Sequence, residues 1–313
     1  MDKLKVCFVG VGSIAKRHIK NLHVVCSERG IALKIDAVRR NTEAVEGIDV
    51  VYCSAAEVPD DYDAVFITNP TDCHLKTLRE FHDKAKNFFI EKPVAAVSQI
   101  QEAKEFCLRD GVVYYVACPL RYHAVIQYIR NNVELDDVIA VRSISSSYLP
   151  DWRPGQGYRN TYSAHKNMGG GVSIDLIHEW DYLTYLFGQP LSVKSIIQRK
   201  SNLEIDSDDI ALYIAEYPDK TVELHLDYFG RKTIREIQLF TQKDTIIGDI
   251  AKNKLSFLVS GEIIDFHEER DDYQKRELNQ FVDMVMGLSC AGAENGFSHA
   301  IDVLALTQGR IKP

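Results

Sequence analysis

Between residues 1 and 118 six short apolar runs recur, each followed by a longer stretch: LKVCFVG, IALKIDAV, DVVYCSA, DAVFITN, NFFI and VVYYVAC. Continuous apolar runs alternating with helical periodicity predict strands buried on both faces, hence a parallel sheet. Helices are expected to start near Ser13, Thr71, Ser98 and His123, with Thr71 and Ser98 as N-caps. After about residue 135 the pattern changes. The run VIAVRSISSSYL leads into a polar, aromatic loop from Pro150 to Met168, then a single helix from about Gly170 to Phe187. Several strand-like runs follow without intervening helices, from SVKSIIQRK to EIIDF, and two helices, Asp271 to Gly287 and Phe297 onward, close the chain. Consecutive strands imply a large, mainly antiparallel, open sheet. The expectation is an α/β domain over 1–120 and an α+β domain over 121–313. A chain of 313 residues is long enough for two cores.

A net charge of -8 argues against general affinity for nucleic acid or an anionic membrane. No apolar run approaches the roughly 20 residues that span a bilayer, and the first strand-like run starts at Leu4, leaving no room for a signal peptide. The cysteines (Cys7, Cys26, Cys53, Cys73, Cys107, Cys118 and Cys290) are odd in number and never spaced CxxC. That fits neither a disulfide framework nor a zinc site, and no other metal cluster stands out. Cys7 and Cys53 read as small core residues. A reducing cytoplasm is the expected setting.

The opening segment KVCFVGVGSIAKRHIKNL is a strand running through Gly10-x-Gly12-x-x-Ala15 into a helix. Gly10 permits the tight turn, Gly12 close approach to a pyrophosphate, and Ala15 close helix–strand packing. The helix start at Ser13 and Ile14 offers N–H groups and a partial positive charge to phosphates. A Rossmann-type dinucleotide site is expected. An acid at the end of the second strand would bind the ribose hydroxyl of NAD, whereas arginine accommodates the 2′-phosphate of NADP. If that strand ends at Val38, Arg39 and Arg40 occupy the discriminating position and Asp36 lies inside the strand. NADP is therefore expected ahead of NAD; the alternative is that both arginines are solvated loop charges.

Glu91-Lys92-Pro93 closes the fifth run, where ligands of open parallel sheets bind. A lysine there can stabilise negative charge developing on a substrate oxygen. In GGGVSIDLIHEWDY, helical spacing puts Asp175, His178, Glu179 and Tyr182 on one face, and Val172, Leu176, Trp180, Leu183 and Phe187 on an apolar one. Asp175 can orient His178, whose ordinary pKa suits proton transfer. Alternatively these acids merely complement the helix N-terminus.

Taken in order, GVGSIAKRHIKNL, VFITNPTDCHLKTLREF, FFIEKPVA, CPLRYHAVI, GGGVSIDLIHEWDYLTYLFG and YQKRELNQFVDMV resemble the glucose-fructose oxidoreductase, inositol dehydrogenase and rhizopine-catabolism (Gfo/Idh/MocA) family. The resemblance runs through nearly the whole chain. It implies a Rossmann-plus-sheet dehydrogenase acting on a sugar, cyclitol or nucleotide-activated sugar. It also implies a homodimer or homotetramer formed through the open face of the second sheet. It makes Lys92, Asp175 and His178 the catalytic group. Thr68, Asn69, Pro70 and His74 would line the nicotinamide side, with Glu91 before the lysine and Arg121 after the sixth strand. Many members place the histidine four residues after the aspartate; here the spacing is three, and Glu179 holds the fourth place.

The loop before the catalytic helix carries Arg153, Tyr158, Arg159, Tyr162, His165 and Lys166. These could bind a polyhydroxylated substrate through charge-assisted hydrogen bonds and stacking, or pack an interface. The expected reaction is reversible hydride transfer to or from a secondary carbinol carbon, with the ammonium of Lys92 and the imidazole of His178 converging over the nicotinamide. Two rivals stay open: a redox-neutral enzyme that retains its cofactor, and a non-enzymatic cofactor-sensing protein.

Overall fold

The computed structural model describes residues 3–289 and 295–311, so Cys290 lies outside the described residues. The chain divides into two compact units, Met1–Pro119 with Glu269–Ile301 and Leu120–Glu268 with Asp302–Pro313. The expected split into 1–120 and 121–313 therefore needs correction, because the segment 269–301 belongs with the first unit.

In the first unit, strands β1 (Lys3–Val9), β2 (Ala32–Val38), β3 (Val50–Tyr52), β4 (Ala64–Ile67), β5 (Asn87–Ile90) and β6 (Val113–Val116) form a six-stranded sheet in the order 3-2-1-4-5-6. Every neighbouring pair is parallel. The strand order reverses between β1 and β4, and doubly wound folds bind ligands at such a point. Helices α1 (Ser13–Glu28), α2 (His74–Glu80) and α3 (Ile100–Lys104) connect the strands. Parallel register places Phe8, Phe66, Phe89 and Tyr115 side by side across β1, β4, β5 and β6. Their rings stack at centroid distances of 4.4, 4.8 and 5.3 Å. The apolar stripe of α1 (Ala15, Ile19, Leu22, Val25) belongs to the same core.

Two N-cap expectations are corrected. Thr71 begins a short 3-10 turn, Thr71–Cys73, and Ser98 lies inside another, Val97–Gln99, so the α-helical turns start only at His74 and Ile100. Neither residue stands at the cap position, because each 3-10 turn delays the α-helix. Cys7 is buried as expected, whereas Cys53 is exposed. The three-residue strand β3 is the sheet edge and stops at Tyr52, short of the cysteine.

In the second unit, helix α4 (Ala124–Asn132) starts after His123, whose ring accepts the Val125 N–H at 3.3 Å. Strand β7 (Val138–Tyr148) follows, then a chain of 3-10 turns, then helices α5 (Val172–Asp175) and α6 (Ile177–Phe187). Strands β8 (Ser192–Gln198), β9 (Ile210–Glu216), β10 (Thr221–Asp227), β11 (Phe229–Thr241), β12 (Thr245–Asp249), β13 (Lys254–Phe257) and β14 (Ile263–Asp265) complete an eight-stranded sheet. Its order is 14-13-12-11-7-10-9-8, antiparallel except where β7 meets β10. Alternation along the strands buries Val141, Tyr213, Leu224 and Leu239. Trp180 of α6 packs edge-on to Tyr213 at 5.2 Å. The other face leaves Ile196, Ile214 and Phe240 exposed.

Two further helices are α7 (Arg270–Val285) and α8 (Phe297–Leu306). Leu278, Phe281, Val282 and Met284 of α7 enter the first unit's core, and the Phe281 ring meets Phe66 and Phe89 edge-on at 5.4 and 5.2 Å.

Candidate functional site

At the end of β1 the chain turns through Gly10 at φ +88°. A Cβ there would lie 2.8 Å from the Asn69 Cα, so both conformation and space demand glycine. The Gly10 N–H donates to the Val38 carbonyl at 2.9 Å, and Thr68 Oγ1 donates to the Gly10 carbonyl at 2.7 Å. The ends of β1, β2 and β4 are thereby tied together at the reversal point. Gly12 is the cap of α1, with no side-chain hydrogen bond to the helix start. A Cβ at Gly12 would meet nothing within 4 Å. Open room beside the uncapped N–H groups of Ser13, Ile14 and Ala15 fits a pyrophosphate. Ala15 itself is fully buried against the sheet core.

Strand β2 does end at Val38, so Arg39 and Arg40 follow it directly. Asp36 is buried and accepts the Tyr62 hydroxyl at 2.6 Å, which engages it inside the sheet. Arg40 is exposed; Arg39 is half-buried and reaches the Glu43 carbonyl at 3.4 Å. After β4, Asn69 Nδ2 donates to Thr77 Oγ1 at 2.7 Å, and buried His74 donates through Nε2 to the Asn69 carbonyl at 3.0 Å. Pro70 leads directly into the 3-10 turn. Burial pushes the His74 pKa down, so the ring acts as a neutral donor that fixes this loop.

Glu91 and Lys92 stand just beyond β5, and the Lys92–Pro93 peptide is cis. His18 Nε2 donates to Glu91 Oε1 at 2.5 Å, while Glu91 Oε2 accepts the Lys92 backbone N–H at 3.2 Å. Burial alone would raise the Glu91 pKa. The hydrogen bond and charge of His18, then the Lys92 charge, outweigh it and hold the carboxyl below its usual range.

In the second unit, the three glycines at 169–171 enter a tightly packed turn, where a Cβ on Gly170 would strike the Tyr162 carbonyl. The single helix expected from Gly170 to Phe187 is corrected to two, because Leu176 (φ -97°, ψ 31°) breaks it. Asp175 closes α5, and His178 lies in the first turn of α6. The expected polar face is largely buried. Glu179 is inaccessible to solvent and accepts Arg235 Nε at 2.7 Å; Tyr182 shares a hydrogen bond with Ser143 Oγ at 2.6 Å. Those two side chains hold α6 against β11 and β7. His178 is half-buried.

Asp175 accepts the Tyr228 hydroxyl at 2.6 Å. Tyr162 also faces it, and the Arg153 guanidinium stands 5.5 Å over the Tyr162 ring. Burial first, then the Asp175 charge, holds both phenols above their ordinary pKa. Asp208 accepts the Ser173 N–H at 2.9 Å; its carboxyl is raised by burial, with Asp175 adding to that. The remaining loop residues are engaged elsewhere. Arg159 grips Glu204 at 2.6 and 2.7 Å, the Tyr158 hydroxyl accepts the Glu204 N–H at 3.3 Å, and His165 donates to the Arg159 carbonyl at 2.7 Å. The Lys166 N–H donates to Asp206 at 2.6 Å. Arg121 is buried and grips Asp181 through Nε at 2.8 Å and one Nη at 2.6 Å.

Sequence reasoning missed His18, Tyr228 and Asp208. Only His18 carried a usable signal, as a histidine within the apolar stripe of α1; the other two meet Asp175 and Ser173 across long sequence separations. Among the described residues no group of His, Cys, Asp and Glu could hold a metal ion, and no helix is long and apolar enough to cross a membrane.

Residues 4–118 match the family described as "Oxidoreductase family, NAD-binding Rossmann fold", and residues 125–247 match the GFO/IDH/MocA C-terminal domain. The uncharacterized oxidoreductase YrbE of Bacillus subtilis is 26% identical over 191 residues, covering 59% of this chain and 54% of that protein. Inositol 2-dehydrogenase of Rhizobium meliloti is 26% identical over 194 residues, covering 59% and 56%. The matched stretch thus spans about half the length of these curated relatives. The fold agrees with that of a levoglucosan dehydrogenase in complex with NADH at a TM-score of 0.82, covering 98% of this chain and 95% of that one at 14% identity. With the doubly wound sheet, the Gly10–Ala15 turn and two family matches accounting for most of its length, the chain belongs to the Gfo/Idh/MocA oxidoreductase family.

Proposed function

We propose that the protein is an NADP-preferring oxidoreductase acting on a secondary alcohol or ketone of a sugar, cyclitol or sugar-nucleotide-like substrate. The observation that carries the reading is Lys92 at the carboxyl end of β5, in a sheet whose β1–α1 turn has both the room and the donors for a dinucleotide. Ser13, Ile14 and Ala15 would hold the pyrophosphate, and Thr68, Asn69, Pro70 and His74 would flank the nicotinamide. When bound, the nicotinamide supplies or accepts the hydride. Lys92 polarises the substrate oxygen, His178 exchanges the hydroxyl proton, and Asp175 orients and polarises the pair.

The preference for NADP rests on Arg39 and Arg40 following β2, with Asp36 engaged by Tyr62. Arg153 and Tyr162 are the loop residues best suited to touch substrate, since Tyr162 faces Asp175 and Arg153 stands over the Tyr162 ring. Tyr158, Arg159, His165 and Lys166 would instead shape the loop, and Arg121 would brace α6 through Asp181. A cytoplasmic setting suits the free cysteines. A homodimer or homotetramer would cover Ile196, Ile214 and Phe240 on the open sheet face.

The test is a turnover screen of sugars, cyclitols and sugar nucleotides with NADP and NAD, read at the nicotinamide absorbance. Activity that disappears in Lys92→Ala while NADPH binding persists supports the reading. Wild-type protein that binds NADPH but reduces or oxidises nothing in the screen overturns it.

A further inference from the structure

We infer that His18 is a positioning residue for Lys92, acting through the Glu91 carboxylate. This rests on the catalytic assignment of Lys92 above. His18 is 1% exposed on the inner side of α1, with its ring 5.0 Å from Phe89 and 6.4 Å from Phe66. An imidazole in aromatic surroundings is costly unless it is hydrogen-bonded, and with Nδ1 lacking a partner among the described residues, Nε2 alone supplies that bond. Its Nε2 meets Glu91 Oε1 at 2.5 Å, within hydrogen-bond reach of a carboxylate partner, the pairing that makes a hydrogen bond charge-assisted. The second oxygen of the same carboxylate receives the Lys92 N–H at 3.2 Å. One side chain therefore ties a helix at residue 18 to the backbone that carries the lysine.

The groups that face Glu91 are His18 from α1, His74 from α2 and Lys92 from its own segment. Of these, the His18 hydrogen bond and charge and the Lys92 charge keep the carboxylate ionised. The helix bearing His18 is also the one whose start offers N–H groups to a pyrophosphate. A rigid element thus sets both ends of the geometry: its first turn fixes the cofactor phosphates, and its second turn fixes residue 92. A core histidine serving only to fill space would not need an acid partner two atoms from the lysine's backbone nitrogen.

The experiment compares wild type with His18→Leu, His18→Gln and Glu91→Gln. The glutamine at 18 retains an N–H donor and guards against a loss that is only misfolding. Three quantities are read: the NADPH dissociation constant by fluorescence, kcat against pH, and the Lys92 13Cε resonance in lysine-labelled protein, assigned with Lys92→Arg. The proposal expects the dissociation constant to stay within about threefold, and kcat to fall roughly tenfold in His18→Leu and Glu91→Gln, with recovery in His18→Gln. The Lys92 resonance should step where Glu91 protonates, and that step should move up by about one pH unit in His18→Leu. The acid limb of kcat should move with it. A Lys92 resonance that tracks wild type at every pH in folded His18→Leu overturns the inference, as does a kcat that His18→Gln restores no better than His18→Leu. The resonance decides the matter even if no substrate is turned over, so failure of the functional reading is read separately.

Discussion

At Gly12 a methyl group would project into open space, whereas at Gly170 it would strike the Tyr162 carbonyl. Both glycines belong to turns that head helices, yet the first turn is kept empty and the second is packed solid. The acids beside them differ in the same sense. Glu91 is surrounded by the nitrogens of His18, His74 and Lys92; Asp175 is met by the hydroxyls of Tyr228 and Tyr162. The first unit is organised to admit a ligand against backbone N–H groups and to keep one carboxylate charged. The second is organised to hold a carboxylate still with neutral donors whose protons do not leave.

The largest expected effect tests whether the two acid environments serve one reaction. Lys92→Ala and Asp175→Asn should each lower kcat by roughly 10²–10⁴ while NADPH affinity, measured by fluorescence, stays within a few fold. A change confined to KM would separate one of them from the chemistry. Next comes the glycine contrast. Gly170→Ala should destabilise the protein by about 3 kcal/mol in denaturant unfolding, because overpacking against backbone has no cheap escape. Gly12→Ala should unfold like wild type and lose dinucleotide affinity instead, which would show in calorimetric titration.

Tyr228→Phe leaves the buried Asp175 without one donor and should cost about 1–3 kcal/mol, read as a lowered Tm. Arg39→Asp should shift the ratio of NADPH to NADH affinity about tenfold towards NADH; equal constants for the two cofactors in wild type would refute the assignment. The smallest effect is on acid stability. The Glu91 carboxyl has a folded pKa below its ordinary value. Its contribution is therefore complete above the ordinary carboxylate range and is lost as pH falls through the lowered value. Tm should accordingly drop less steeply on acidification in Glu91→Gln than in wild type.

The parallel sheet and the glycine turn were legible in the sequence because their signals are local: apolar runs, a helix directly after Gly12, and a strand ending at Val38 ahead of Arg39. The helix around Asp175 was read too simply. Its apolar and polar spacing suits one continuous helix, but Leu176 breaks it, and the turn ahead of it is packed against Asp208, which meets Gly171 and Ser173 from 35 residues beyond Ser173. Glu179 illustrates the same limit, since nothing in HEWDY announces that Arg235 would bury it. His18 pairs with a residue 73 positions away, and Tyr228 with one 53 away. Side-chain partners at such distances follow from topology, which periodicity does not encode.

Helix α7 carries a consequence for how the protein is made. Phe281, Leu278 and Val282 cap the ring ladder of Phe8, Phe66, Phe89 and Tyr115, yet they are synthesised about 160 residues after the strand β6 that completes that ladder. During translation the first sheet must wait with its aromatic surface covered only on the α1 side while the whole second sheet emerges from the ribosome. A gene fragment stopping at Pro119 would encode all six strands and still yield a sticky, half-roofed product, whereas supplying residues 269–301 in trans should rescue its solubility.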